Sequence, residues 1–294
     1  MKIFNYQKKY NKYIIILLII IIALLIFLNI NYIKNNIYET FNDNNNDINN
    51  IILPYDVIIV GCARDIESYL PDTKKKLIMI KSLFRSSKNI IYENDSTDKT
   101  LDILKEWEQE QLIQLITEKN IKGIRTERLA YARNILYKEA MKHDFDLLII
   151  VDLDNVIINL TKESIISCFN LKEDWAMVGA NQSGSYYDMF ALRTYDDWMP
   201  FDCWFCIHNE EKSNDYCLNS RMKNIPKDSE PIKVISCFGG TAIYKKKYLD
   251  NCSYGNGLQT VEDITTEICE HVDFNKCITN NGGNIYINPK LINY

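Results

Sequence analysis

The chain carries no surplus of positive charge: 34 Lys and Arg against 39 Asp and Glu leave a formal net charge of −5. A nucleic-acid partner requires clustered Lys and Arg that displace counterions from phosphates. Here the Lys residues are scattered, and the runs at 74–76 and 245–247 are short enough to be solvated faces. Nucleic acid is excluded as the main partner. Histidine is scarce, with His143, His208 and His271 the only three. Cys203 and Cys206 have CxxC spacing, but no second CxxC and no His pair at zinc-finger spacing accompanies them, so a structural zinc site has little support. Nine cysteines are an odd number, which permits some disulfides in an oxidising compartment and leaves at least one thiol free. No internal repeat is visible. What remains, 47% apolar and 25% charged, is ordinary for a globular domain with a sizeable core.

One long hydrophobic run is present. Residues 13–28 (YIIILLIIIIALLIFL) are all apolar or aromatic, and Ile30 extends the run past one Asn. About 20 residues at a rise of 1.5 Å cross a hydrocarbon core of roughly 30 Å. No small-x-small cleavage site follows, so residues 13–30 read as an uncleaved transmembrane signal anchor. Lys2, Lys8, Lys9 and Lys12 precede it and only Lys34 lies close after it. The positive-inside rule then gives a cytosolic tail over 1–12 and single-pass type II topology, with a lumenal, ER- or Golgi-like body. Residues 31–53, which include NDNNNDINN, are too polar to offset their ordering entropy and read as a stalk. Sequons begin at Asn94, Asn159, Asn181 and Asn251, weak signals in so Asn-rich a chain.

From residue 54 the pattern alternates. YDVIIV at 55–60 is a β-branched run ending at Gly61, the signature of a buried parallel strand. Helical spacing follows over 66–86, a second strand over 89–92, a helix over 98–110 with Asp98 near its start, a third strand over 112–117, a helix over 126–143, and a fourth strand over 147–151. Strands alternating with helices through short loops predict a doubly wound α/β sheet whose ligand sits at the carboxyl ends of the strands. The loops GCARD (61–65), ENDSTD (93–98) and DLDN (152–155) are the most polar strand ends and are expected to meet there. In the last of them a hydrophobic strand delivers Asp152 and Asp154 to the mouth of the sheet. Two carboxylates so placed suit a hard divalent cation, Mg²⁺ or Mn²⁺, which in turn neutralises a diphosphate. The plain alternative is that both are turn residues.

The succession of ENDSTDKT, AYARN and LLIIVDLDN resembles the nucleotide-binding half of GT-A glycosyltransferases, a Rossmann-like mixed-sheet fold. YYDMFALR (186–193), CFGGTAIYKKKYL (237–249) and CEHVDFN (269–275) are similar to a subgroup that includes the cryptococcal mannosyltransferase-like proteins. The resemblance spans about 55–290 and implies a nucleotide-binding half over 54–155 and an acceptor half over 156–294. It implies a UDP- or GDP-hexose donor, Mn²⁺ or Mg²⁺ as cofactor, and a glycan or glycoprotein acceptor. Arg64, Glu93, Asn94, Arg133 and Asp152 would contact the nucleotide, and Asp154 the metal, with Asp152 beside it. Glu93-Asn94 stands where many members have two Asp.

In the second half Glu270 is the leading candidate for the catalytic carboxylate, with Glu262 and Asp263 as a competing pair. An inverting enzyme needs one carboxylate as base; in a retaining one it steadies an oxocarbenium-like transition state, and the likeness to α-mannosyltransferases leans to retention. His271 could complete the metal shell. Gly239 and Gly240 would let the backbone approach the donor sugar. Asp188 could bond sugar hydroxyls and Trp198 or Trp204 could stack on a pyranose ring at the acceptor side. Two other readings remain: a sugar nucleotidyltransferase, which normally carries a Gly-rich loop with Lys that GCARD is not, and a membrane-tethered carbohydrate-binding protein without turnover.

Overall fold

The computed structural model describes residues 51–208, 210, 212–261 and 263–294. The expected tail, the anchor and the stalk up to residue 50 lie outside these residues. Among the described residues no helix is long and apolar enough to cross a membrane.

The central sheet is built around two nearly continuous apolar runs. In β1 (Leu53–Ala63), Val57 to Val60 are all buried, and in β4 (Leu147–Val151) every residue is. Strands buried on both faces need apolar residues at consecutive positions, which is why these read as runs and not as alternations. Beside them lie β2 (Phe84–Asn94) and β3 (Gln114–Glu118), and the order β3-β2-β1-β4 is parallel throughout. The second half, which shows little periodicity in sequence, completes this sheet. It contributes β5 (Met177–Asn181), β6 (Ile232–Val234) and β7 (Thr241–Lys245). The hairpin of β8 (Leu258–Val261) and β9 (Ile264–Glu267) stands apart, and β10 (Ile285–Ile292) returns to the main sheet. The full order is β3-β2-β1-β4-β7-β5-β10-β6. β7 is wedged antiparallel between β4 and β5, and β6 pairs antiparallel with β10, so the sheet is mixed.

The helices are α1 (Leu70–Lys81), α2 (Thr100–Gln109), α3 (Arg125–Ala140), α4 (Lys162–Ile166), α5 (Cys203–His208), α6 (Asn214–Cys217) and α7 (Glu270–Asn280). The helix expected over 66–86 is shorter at both ends. Its last residues join β2, where Arg85 forks onto both carboxylate oxygens of Asp56 at 2.9 and 2.5 Å, a pairing that helical spacing cannot reveal. β1 likewise begins inside the expected stalk, because Leu53 is buried and its N–H bonds Leu83 O at 2.6 Å.

Disulfides join Cys206 to Cys217 and Cys252 to Cys277, leaving Cys62, Cys168, Cys203, Cys237 and Cys269 free. The CxxC pair is therefore split: Cys206 is bridged to a more distant partner and Cys203 is a buried thiol. Of the four sequons, Asn94 and Asn181 are buried, whereas Asn159 and Asn251 are exposed.

Candidate active site

The three polar loops meet at one edge of the sheet. Thr97 N–H donates to Asp65 Oδ1 at 2.6 Å and Glu67 N–H donates to Asp98 Oδ2 at 2.9 Å, stitching the loop after β1 to the loop after β2. Asp98 also accepts from Thr100 N–H at 2.9 Å ahead of α2. Gly61 brings β1 against the end of β4: a Cβ there would stand 2.7 Å from the Leu153 side chain and 2.8 Å from Val151 O. The loops enclose a cavity of about 510 Å³ whose wall includes Arg64, Asn94, Asp152, Asp154, Asp188 and Glu270.

Its floor is an ion-pair triad. Arg133, on α3 and 4% exposed, donates from Nε to Glu270 Oε1 at 2.7 Å and from Nη2 to Asp152 Oδ1 at 2.9 Å. The sequence-based expectation that Arg133 reaches a nucleotide is thus met by a different geometry: two of its three nitrogens bind protein carboxylates. Nη1 is buried without a partner. Glu270 is the first residue of α7, where the helix dipole favours a carboxylate, and is 3% exposed. Burial pushes the Asp152 carboxyl up to about 6, against the pull of Arg133 and with Asp154 adding to the rise. Asp154 is half-buried, and its Oδ1 accepts from Val156 N–H at 3.2 Å.

Asp188 connects this floor to the glycine pair. Its Oδ2 accepts from Gly239 N–H at 2.7 Å, and burial raises its carboxyl above the usual range. Gly239 and Gly240 have φ of +73° and +87°, and Cβ atoms on them would stand 2.5 Å from Ala180 O and 2.8 Å from Val156 Cγ2. Their first role is thus to let this turn pack against β5 and the Asp154 loop; of the two, Gly240 lines the cavity.

Several expected site residues fall elsewhere. Glu93 is 1% exposed and accepts from Ser96 N–H and Thr117 Oγ1, both at 2.9 Å, so it shapes the loop after β2 and does not line the cavity. Trp198 is a core residue: its Nε1 donates to Arg221 O at 2.7 Å and its ring meets Tyr186 edge-on. Trp204, paired with Phe190 at 4.2 Å between centroids, lines the cavity instead. Asp263 sits exposed at the β8–β9 turn with φ +67°, away from the cavity wall, and Glu262 lies outside the described residues.

His271 lines the same cavity as the aspartates, and both its ring nitrogens are buried without a hydrogen-bond partner. It is 2% exposed and stacks on Phe238 at 3.8 Å, and burial holds its imidazole well below the usual range. Among the described residues no three His, Cys, Asp or Glu side chains group to hold a metal ion. The oxygen donors left at the strand end are Asp152 and Asp154. Mg²⁺ in particular is often held by one or two carboxylates while substrate phosphates and water complete its shell. These residues fit a cation that arrives with a diphosphate, and not one caged by the protein. Sequence reasoning passed over Arg125 and Arg128, which also line the cavity; their signal was the concentration of Arg in IRTERLAYAR.

No family model matches the chain, and no curated protein matches it. Among solved structures it is similar to the mannosyltransferase PcManGT from Pyrobaculum calidifontis in complex with GDP-Man and Mn²⁺, at 12% identity and a TM-score of 0.45, covering 82% of this chain and 56% of that one. It is also similar to S. aureus TarS 1–349 in complex with UDP-GlcNAc, at 12% identity and a TM-score of 0.43, covering 79% and 55%. Glucosyl-3-phosphoglycerate synthase from Mycobacterium tuberculosis, in complex with phosphoglyceric acid, is similar at 12% identity and a TM-score of 0.38, covering 67% and 59%. The chain thus spans a little over half the length of these structures.

Proposed function

We propose that this protein is a metal-dependent glycosyltransferase of the GT-A type, moving a hexose from a nucleotide-sugar to a glycan or glycoprotein acceptor. The observation that carries the reading is the pair Asp152 and Asp154 at the end of β4, in a cavity at the carboxyl ends of parallel strands. Ligands of open α/β sheets bind at that edge. Arg64 and Asn94, in the cavity wall, would contact the base and ribose, and Asp152 and Asp154 would hold the cation. A bound Mn²⁺ or Mg²⁺ supplies the charge that neutralises the departing diphosphate. Glu270, fixed by Arg133, would act on positive charge developing at the anomeric carbon, which suits the retaining course. Trp204 and Phe190 offer an apolar face to a sugar ring and Asp188 an acceptor for its hydroxyls.

The body is proposed to stand on the far side of a membrane from the tail, in type II topology. The apolar run at 13–28 and its Lys-rich flank support this, and the two disulfides suit an oxidising compartment. Protease treatment of intact vesicles tests it: the body stays protected, and digestion without detergent reverses the topology.

Thermal unfolding of the full-length protein with UDP- or GDP-sugars tests the function. Ligand that binds only the folded state raises the midpoint by mass action. The expected rise needs Mn²⁺ and nucleoside diphosphate together; no rise with any donor and metal rejects the reading.

A further inference from the structure

The sequence holds 34 basic residues, of which seven are Arg (64, 85, 125, 128, 133, 193 and 221) and 27 are Lys. Four of the seven Arg line the candidate cavity, and none of the 22 Lys among the described residues does. A wall that merely needed positive charge would draw on the commoner residue. Arg differs in being a planar fork that meets phosphate or carboxylate oxygens two at a time.

Arg133 is committed to Asp152 and Glu270 and Arg64 has a loose ion pair, whereas Arg125 and Arg128 have none among the described residues. Arg64 has Asp65 at 3.7 Å, too long for a good hydrogen bond. Arg128 gives one Nη1 hydrogen bond to Gly123 O at 2.6 Å and has no carboxylate partner among the described residues. Arg125 is exposed and makes no ion pair among the described residues. Arg125 and Arg128 also occupy the first turn of α3, where the helix dipole favours acidic side chains and opposes basic ones. Glu127 offsets part of that opposition through the capping box at the helix start, and an anion would relieve the rest. A second sign of a missing ligand is Arg133 Nη1, on the same helix and in the same cavity wall, which is buried with no partner.

We infer that Arg125 and Arg128 form a phosphate-binding clamp distinct from the two-carboxylate cation site. It builds on the reading proposed above, and its ligand is phosphate oxygen, borne by the donor's diphosphate or by a phosphorylated acceptor. Because the clamp is Arg and not Lys, charge alone does not replace it.

The test is calorimetric titration of the full-length protein with three probes: inorganic pyrophosphate without metal, UDP or GDP with Mn²⁺, and inorganic phosphate added to protein already saturated with Mn²⁺ and UDP or GDP. Wild type is compared with Arg125→Gln/Arg128→Gln, with the Lys/Lys double variant, and with Arg85→Gln as a remote control. The clamp predicts at least a tenfold loss of pyrophosphate affinity in the Gln double variant, little rescue by Lys, and no change in the control. If UDP or GDP affinity falls with it, the phosphate is the donor's. If that affinity holds while phosphate binding to the loaded protein disappears, it is the acceptor's. Unchanged pyrophosphate binding in the Gln double variant, or full rescue by Lys, overturns the clamp. Pyrophosphate binding that is lost as expected in a protein that takes no UDP or GDP leaves the clamp standing and rejects the transferase reading.

Discussion

Replacing Arg133 by Met isolates the contribution of the buried triad. Met keeps most of the length, keeps helix propensity, and removes the charge. Glu270, with its side chain 4% exposed, then loses the guanidinium it bonds at 2.7 Å, and Asp152, 35% exposed, loses its partner at 2.9 Å. Removing one member of a buried ion pair leaves an uncompensated charge and costs about 3–5 kcal/mol. Most of that falls on Glu270, since Asp152 is open to the cavity and its bridge is screened. For a unit of this size such a loss lowers the unfolding midpoint by roughly 6–20 °C. The assay is urea and thermal unfolding of wild type, Arg133→Met, Glu270→Gln and the double variant. Because Gln carries no charge, the double variant should recover part of the loss, with a coupling on the order of 1–3 kcal/mol. A cost below about 1 kcal/mol for Arg133→Met, or strict additivity in the double variant, would refute the triad as a structural unit.

Three further outcomes follow from the same geometry. Glu270→Gln should slow transfer by at least about a hundredfold with little change in donor affinity, since an electrostatic donor or acceptor at a transition state is worth roughly 3 kcal/mol; steady-state kinetics would show a kcat loss, and a pure KM effect would contradict it. Burial keeps His271 neutral in the folded state, whereas the unfolded chain takes up its proton below about pH 6.5, so stability falls as pH drops below that point by about 1.4 kcal/mol per unit. The difference in urea stability between wild type and His271→Phe should therefore change between pH 7.5 and 5.5, and parallel curves would exclude the effect. Gly239→Ala should cost on the order of 2 kcal/mol, because φ is +73° and the added Cβ meets a backbone carbonyl that cannot move aside; a neutral result by thermal unfolding would show the turn to be pliant.

Much of the first half of the body was legible because its signals are local. β1 and β4 are apolar runs, and Asp152 and Asp154 stand where the second run stops. The second half was not, because its strands earn their places through remote partners. β7 pairs with β4, nearly a hundred residues away in the chain, and no periodicity in TAIYK shows that it will lie antiparallel there. The same holds at the site. Trp198 and Trp204 are alike in sequence, and remote contacts of Trp198 with Arg221 O and the Tyr186 ring separate a core ring from a cavity wall. Glu93 looked available to a ligand until Thr117, on β3, took one of its oxygens. Arg133 lines the cavity, but its two carboxylate partners lie 19 and 137 residues away. Long-range contacts of this kind decide which polar residues are free, and local sequence does not carry them.

Release of free hexose from UDP- and GDP-sugars by the full-length protein tests the proposed chemistry most directly, measured with Mn²⁺, with EDTA, and for Asp154→Ala beside wild type. Asp154 lies in the loop after β4, half-buried, where its side chain caps only the short turn at 155–157, so its loss should spare the fold while removing several kcal/mol of charge stabilisation, roughly a thousandfold or more in rate. The expected result is turnover with Mn²⁺ on at least one donor, none in EDTA, and none above background for a folded Asp154→Ala. Undiminished turnover in EDTA, or near wild-type rates for Asp154→Ala, would contradict the metal-dependent site at the end of β4.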